Sequence, residues 1–253
     1  LRLYRSLCRR IGMLDHSPDV LVLANAIVDR LTHIADLSNE HVDCVCFLAP
    51  IVPKAIKGAI DNILRHPPPP DSGTRWQVLL ARTLGSLAYT AENFDCSAMS
   101  LSRLACTFQN PLDNFAQERL SDLFQIVLSG THATGSQRLA IVDRHVRSNN
   151  ENFARLGISM LSSYLAAEHF SSNATDQFGS QVRDLGWEPT TARDFADWYN
   201  HGLALFAELW DGVPTRQEAL RRVLQERFRG LFRFGGANER LVALMRTVRG
   251  ECF

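Results

Sequence analysis

The stretch running from Arg75 to Phe108, RWQVLLARTLGSLAYTAENFDCSAMSLSRLACTF, carries apolar residues at helical spacing twice, on either side of a short corner. Trp76, Leu80, Leu84 and Leu87 fall at i, i+4, i+8 and i+11, one side of a helix with about 3.6 residues per turn. Phe94, Ala98, Leu101, Ala105 and Phe108 form a second stripe, widened by Leu104, and Thr90 in the corner Tyr89-Thr90-Ala91-Glu92 suits an N-cap. The spacing predicts two antiparallel helices, each with one apolar face. Such a hairpin cannot bury both faces by itself, so neighbouring hairpins must stack on it. The expected fold class is all-α: an α-solenoid of stacked antiparallel helical hairpins, HEAT-like, with roughly 12 helices. Stacked hairpins rotate slightly from one to the next, which suits them to wrapping another protein.

The rest of the chain repeats the pattern. The segment 1–15 reads as one helix, and Pro18 after Ser17 opens a second with Val20, Leu23, Ala24, Ile27, Leu31 and Ile34 inward. Ser38 can cap a third, but His41 stands where a capping box wants Glu or Gln. Pro50 and Pro53 break the chain before KAIKGAIDNILRH, and His66 to Gly73 is a proline-rich spacer. The domain reading is therefore 1–66 as N-terminal helical repeats, 67–73 as linker, and 74–253 as further repeats. Asn110-Pro111 starts a helix expected to run through Leu128, with Phe115, Ala116, Leu120, Leu123, Phe124, Val127 and Leu128 inward. The next pair spans 136–147 and 149–166, where Glu151-Asn152-Phe153 echoes Glu92-Asn93-Phe94. The polar, glycine-bearing segment 171–191 interrupts the pattern before three closing helices, and no alternating strand pattern is visible.

Composition bounds the function. At 253 residues and 45% hydrophobic, the chain can bury a large core, and 27 basic residues balance 27 acidic ones, so no net field draws it to nucleic acid or membrane. Only Lys54 and Lys57 are lysines; the remaining basic residues are arginine. No apolar run is long enough to span a bilayer. The opening LRLYRSLCRRIGMLDH lacks the apolar core of a signal peptide, and the start at Leu1 reads as a piece of something longer. The six cysteines are scattered through the chain and mostly fall on apolar helical faces, which predicts reduced thiols and a cytoplasmic protein. Cys44 and Cys46 point roughly 200 degrees apart on a helix and cannot share a metal.

No catalytic constellation emerges, and neither a metal nor a cofactor is expected. Gly130 and Gly135 have the glycine spacing of a phosphate loop, but Ser136-Gln137 follow where Lys-Ser/Thr is needed. The histidines form no zinc-protease pattern, Ser100, Ser102, Ser162 and Ser163 lie mid-helix, and His145 and His201 suit satisfied helix positions. Two surfaces remain. Arg183, Asp184 and Trp187, with Trp198 and Tyr199, suit a partner-facing corner, since arginine and tryptophan dominate binding hot spots, although an Arg183–Asp184 pair can instead fix the corner with Trp187 packed under it. The C-terminal helices carry nine arginines against three glutamates. Arg221, Arg222, Arg229 and Arg233 are the candidate phosphate contacts there, with Phe228, Phe232 and Phe234 assigned mainly to packing.

The segments LARTLGSLAYTAENFDCSAMSLSRLA, NPLDNFAQERLSDLFQIVLSGTHATGSQRL, FGSQVRDLGWEPTTARDFADWY and ERFRGLF resemble the HEAT-like helical array C-terminal to the nucleotide-binding module of large bacterial STAND-type and related antiphage NTPases. LAPIVPKAIKGAIDNIL is similar to the helical unit that precedes that array. The resemblance implies a non-enzymatic sensor or regulatory arm. Its partners would be an invader component or its own NTPase and effector domains, with nucleic-acid binding through the C-terminal arginines as the alternative. The chain carries no Walker motifs and no effector domain, so any NTPase activity would belong to other segments.

Overall fold

The computed structural model describes residues 2–69, 74–107, 115–172, 174 and 176–249. Part of the proline spacer (70–73), Phe108, the helix start at Asn110-Pro111, Cys252 and the Arg249 side chain lie outside the described residues. Among those residues the chain is predominantly helical, with twelve α-helices, one 3-10 turn and one two-stranded hairpin. It divides into two compact units, one of Leu1–Arg119 with Thr175–Asp184, the other of Leu120–Ala174 with Leu185–Phe253. Both flanks of the proline spacer therefore belong to the first unit.

The first unit contains α1 (Arg2–Ile11), α2 (Pro18–Thr32), α3 (Asn39–Leu48), α4 (Ile56–Arg65), α5 (Arg75–Leu87) and α6 (Ala91–Thr107). Helices two apart in sequence lie side by side: α3 packs between α1 and α5, and α4 between α2 and α6. The α5–α6 hairpin follows the periodicity closely. Trp76, Leu80, Leu84 and Leu87 are buried on α5, and Phe94, Ala98, Leu101, Leu104 and Ala105 on α6. Each large side chain so buried contributes about 1.5–3 kcal/mol. In α2 the inward face is rotated: Leu23 is 46% exposed while Val28 is buried beside Ala24, Ile27 and Leu31. A carboxylate joins one layer, since buried Asp43 of α3 pairs with Arg5 of α1 and lies 3.6 Å from Arg75 of α5.

The caps correct one expectation. Ser17 caps α2 as its sequence suggests. At α3, His41 takes the reciprocal role otherwise filled by Glu or Gln, with its Nδ1 accepting the Ser38 N–H at 3.0 Å. Only the neutral ring can accept there. Burial, opposed by Glu40, holds the His41 pKa below its ordinary value. A histidine lowered in the fold supports stability above its unfolded pKa of about 6.5 and loses that support as pH falls through the folded value. His41→Gln keeps an acceptor and removes the titration, so the loss of thermal stability between pH 7 and pH 5 should be smaller in the variant; an equal loss would assign that titration to other groups.

A second correction is the hairpin β1 (Gln177–Phe178) and β2 (Gln181–Val182), antiparallel with Phe178 opposite Gln181. Two-residue strands are too short to display alternation. The local signal is Gly179-Ser180, the glycine-first order that suits a two-residue hairpin loop, with Gly179 at φ +63. This hairpin belongs to the first unit.

Helix α7 (Phe115–Asp122) carries the division between the units and ends six residues before the expected Leu128. Residues 123–128 turn instead, and Leu128 adopts φ +57, so Ile126 is buried where the helical reading had put Val127. The second unit continues with α8 (Gly135–Val146), α9 (Glu151–Tyr164), α10 (Ala192–Gly212), the 3-10 turn Pro214–Arg216, α11 (Gln217–Phe234) and α12 (Asn238–Arg249). Here too α10 lies between α8 and α12, and α9 packs on α11. The Glu-Asn-Phe echo opens both α6 and α9. Its glutamate is met by a cation from another element in each case, Lys54 at 2.8 Å from Glu92 and Arg216 at 2.5 Å from Glu151. The phenylalanines differ. Phe94 is fully buried, whereas Phe153 is only partly so and tilts against the His145 ring at 5.2 Å.

Candidate functional site

The α8–α10 groove of the second unit combines aromatic and acidic residues. Both helices begin at threonine caps: Thr134 accepts from the Gln137 N–H at the start of α8, and Thr191 from the Asp194 N–H at the start of α10. Asp194 returns the bond, its Oδ2 accepting from the Thr191 and Thr190 N–H groups at 2.8 and 3.1 Å. Hydrogen bonds from Thr191 and Thr190 hold its carboxyl below the usual carboxylate range, so it is an anion near neutral pH.

Trp187 reaches this groove through a short backbone pairing. The Gly130 N–H donates to the Leu185 carbonyl at 2.8 Å and the Trp187 N–H to the Thr131 carbonyl at 2.9 Å. Gly186 between them has φ +92, and a Cβ there would sit 2.4 Å from the Thr131 nitrogen. Gly186→Ala therefore meets both backbone strain and a backbone clash, and should destabilise the second unit by about 1–3 kcal/mol. The near-ultraviolet circular dichroism of the stacked tryptophans should change with it; an unaltered spectrum and melting temperature would show that residues 185–187 do not hold Trp187.

Trp187 is half-buried and stacks on Trp198 at 5.5 Å between centroids, and Trp198 stacks on Tyr164 at 4.0 Å. Trp198 is pinned by its Nε1–H, which donates to the Tyr164 carbonyl at 3.0 Å, and the Arg138 guanidinium lies over its ring at 5.1 Å. The groove is open and offers about 640 Å³. Along α10 it is lined by Asp194, Asp197, His201 and Glu208, and across it by Asp143 of α8, while neither lysine nor arginine is among its lining residues. Asp143 is met by Arg147 at 2.6 Å and Asp197 by Arg193 at 3.6 Å. Glu208 is exposed and has no ion-pair partner among the described residues.

The five residues expected to form one recognition corner are divided between the units. Arg183 and Asp184 lie in the first, Trp187, Trp198 and Tyr199 in the second. Arg183 is engaged inward: its guanidinium sits 4.5 Å from the Tyr89 and Phe178 ring centroids and donates to the Ser86 carbonyl at 2.6 Å. Burial lowers its pKa. The Tyr89 hydroxyl donates to Asp184 at 3.1 Å. Arg183 and Asp184 are thus tied to Ser86, Tyr89 and Phe178, whereas Trp187 stacks on Trp198 instead of packing under them. Trp198 and Tyr199 are buried, and the Tyr199 hydroxyl donates to the Ala166 carbonyl at 2.7 Å, so Tyr199 offers a partner no surface.

The arginine-rich helices are mixed. Arg221 and Arg222 both lie within 3.4 Å of Glu218, Arg216 is taken by Glu151, and Arg227 donates to Ser162. Arg233 lies over the Phe234 ring at 5.2 Å. The packing role expected for the phenylalanines fails at two of them, because Phe232 and Phe234 are 48% and 53% exposed. Helix α11 approaches the end of its pattern there, and Gly235-Gly236 follow before α12 can cover that face.

Histidine and cysteine chemistry is largely structural. Buried His145 donates from Nδ1 to the Ile141 carbonyl at 2.9 Å, and burial keeps its pKa low. Cys8, Cys44 and Cys46 are buried free thiols, the last pushed up to about 12 by burial, whereas Cys96 is exposed. Among the described residues no group of three or more His, Cys, Asp or Glu side chains is arranged to hold a metal, and no helix is long and apolar enough to cross a membrane. Searches against protein-family models, curated proteins and solved structures give no match to this chain.

Proposed function

We propose that this chain is a non-enzymatic protein-recognition module built as an α-solenoid of stacked helical hairpins. The observation that carries the reading is the layering itself. In each unit, helices two apart in sequence pack side by side, α1–α3–α5 with α2–α4–α6 in one and α8–α10–α12 with α9–α11 in the other. Successive hairpins arranged this way leave grooves between neighbouring helices, which are natural seats for another chain. The test is selection of a displayed random-peptide library on the immobilised protein. A convergent sequence that binds in solution is expected; failure of any sequence to converge removes the reading.

The larger role, as the sensor or regulatory arm of a bacterial defence NTPase, rests on the resemblance of residues 80–105, 110–139, 178–199 and 226–232 to such arrays. It predicts a phosphate-loop NTPase module encoded upstream in the same reading frame.

A second reading is favoured by one observation, the exposure of Phe232 and Phe234 beside Arg229 and Arg233. Arginines interleaved with exposed aromatics suit a single-stranded nucleic acid. Binding of a labelled oligonucleotide should then fall steeply with salt and fall further in Arg229→Gln/Arg233→Gln, and no binding at about 50 mM salt dismisses it.

A further inference from the structure

We propose that the groove between α8 and α10 receives an arginine side chain from an extended, basic peptide segment of a partner protein, an inference that rests on the protein-recognition reading above. Three features converge on this occupant. The first is size: an open groove of about 640 Å³ has room for a long side chain and its neighbours on an extended segment. The second is charge. Asp143, Asp197 and Glu208 line the groove with no lysine or arginine among the lining residues, and Arg147 and Arg193 meet the first two through exposed pairs. Exposed pairs of this kind are worth at most about 1 kcal/mol and yield readily to a better-placed cation. Glu208 has no such partner to give up.

The third feature is the half-buried Trp187, held by its backbone pairing to Thr131 and backed by Trp198 and Tyr164. A preorganised indole face in a groove lined by carboxylates is complementary to a guanidinium. That group can stack on the ring through its plane while its edge hydrogen-bonds to an acid. Lysine supplies the charge but neither the plane nor the fork. Leu139, Ala140, Ala204 and Leu205 also line the groove and give apolar contact that a peptide can use and a free polyamine cannot. The cation is therefore read together with a neighbouring aliphatic residue.

The test is fluorescence anisotropy of labelled hexapeptides alternating arginine and leucine, with lysine and glutamate replacements of the arginines as comparisons. The arginine peptide is expected to bind, the lysine peptide several-fold more weakly and the glutamate peptide not at all. Asp197→Asn with Glu208→Gln, both on exposed positions of α10, should weaken the arginine peptide about tenfold. Trp187→Ala should weaken it by a similar factor, with folding verified by circular dichroism. Arg222→Gln with Arg229→Gln on α11 should leave it unchanged. Binding that ignores the Asp197/Glu208 pair, or that spermidine competes away at equal affinity, overturns the assignment. If the library yields binders that lack basic residues and ignore these substitutions, the groove proposal fails while protein recognition stands; if it yields no binders, both fail.

Discussion

Replacing Arg138 by alanine is expected to destabilise the second unit by about 3–5 kcal/mol, a magnitude that follows from what the guanidinium leaves behind. Arg138 is fully buried and spans three carbonyls, donating from Nε to Ala133 at 3.1 Å, from Nη1 to Gln125 at 2.7 Å and from Nη2 to Thr131 at 3.3 Å. These carbonyls belong to the turns between α7 and α8, so one side chain at the start of α8 fastens that segment. Burial lowers its pKa to about 10, which still leaves it charged at neutral pH. The groups that hold it are these carbonyl dipoles and the Trp198 ring. Removing it takes the donor from the Ala133 and Gln125 carbonyls, at about 1–3 kcal/mol each, and opens a void, while the Thr131 carbonyl keeps the Trp187 N–H. Arg138→Lys keeps the charge but not the planar fork and should recover only part of the loss. Urea unfolding followed by tryptophan emission reports chiefly on this unit, which holds Trp187, Trp198 and Trp210. A loss below about 1 kcal/mol for Arg138→Ala means that the carbonyls find other donors and that the fastening is not needed.

Helix periodicity was legible where both sides of a helix obey one rule, as in α5 and α6, whose apolar stripes are the buried faces. It misled where tertiary contacts override it. Leu23 lies on a helical stripe in α2 yet faces out, because packing of α2 on α3 and α4 buries Ala24, Ile27 and Val28 instead. Leu123 to Leu128 continue a helical pattern, but the chain turns so that Gly130 and Thr131 can pair with residues 185–187. That pairing has no local sequence signature beyond Gly186. The acidic side of the groove was readable in principle, since Asp194, Asp197, His201 and Glu208 fall at i, i+3, i+7 and i+14 along α10, a single stripe. Its opposite wall on α8 was not, because nothing in one helix states which other helix it will face. Arg138 is the extreme case: an arginine in the first turn of a helix reads as solvated, and only the loop folded over it makes it a core residue.

Trp198→Ala should cost about 3–5 kcal/mol and abolish binding of the arginine peptide together, because the same ring stabilises the unit and backs the groove. Its side chain is buried against Tyr164 and Trp187, and its Nε1–H supplies the Tyr164 carbonyl. Trp198→Phe separates these contributions. It retains an aromatic face but leaves the carbonyl without its donor, a loss of about 1–2 kcal/mol, so most of the stability and much of the peptide binding should survive. The double variant Arg138→Ala/Trp198→Ala should lose less than the sum of the single losses, since each residue packs on the other and either substitution already frees the surface of its neighbour. Strict additivity would place the two in independent environments, and the groove would then lack the single rigid support on which a preorganised Trp187 depends. Retained peptide affinity in a folded Trp198→Ala protein would lead to the same conclusion from the binding side: Trp187 would be held by the 185–187 backbone pairing alone, without the stack behind it.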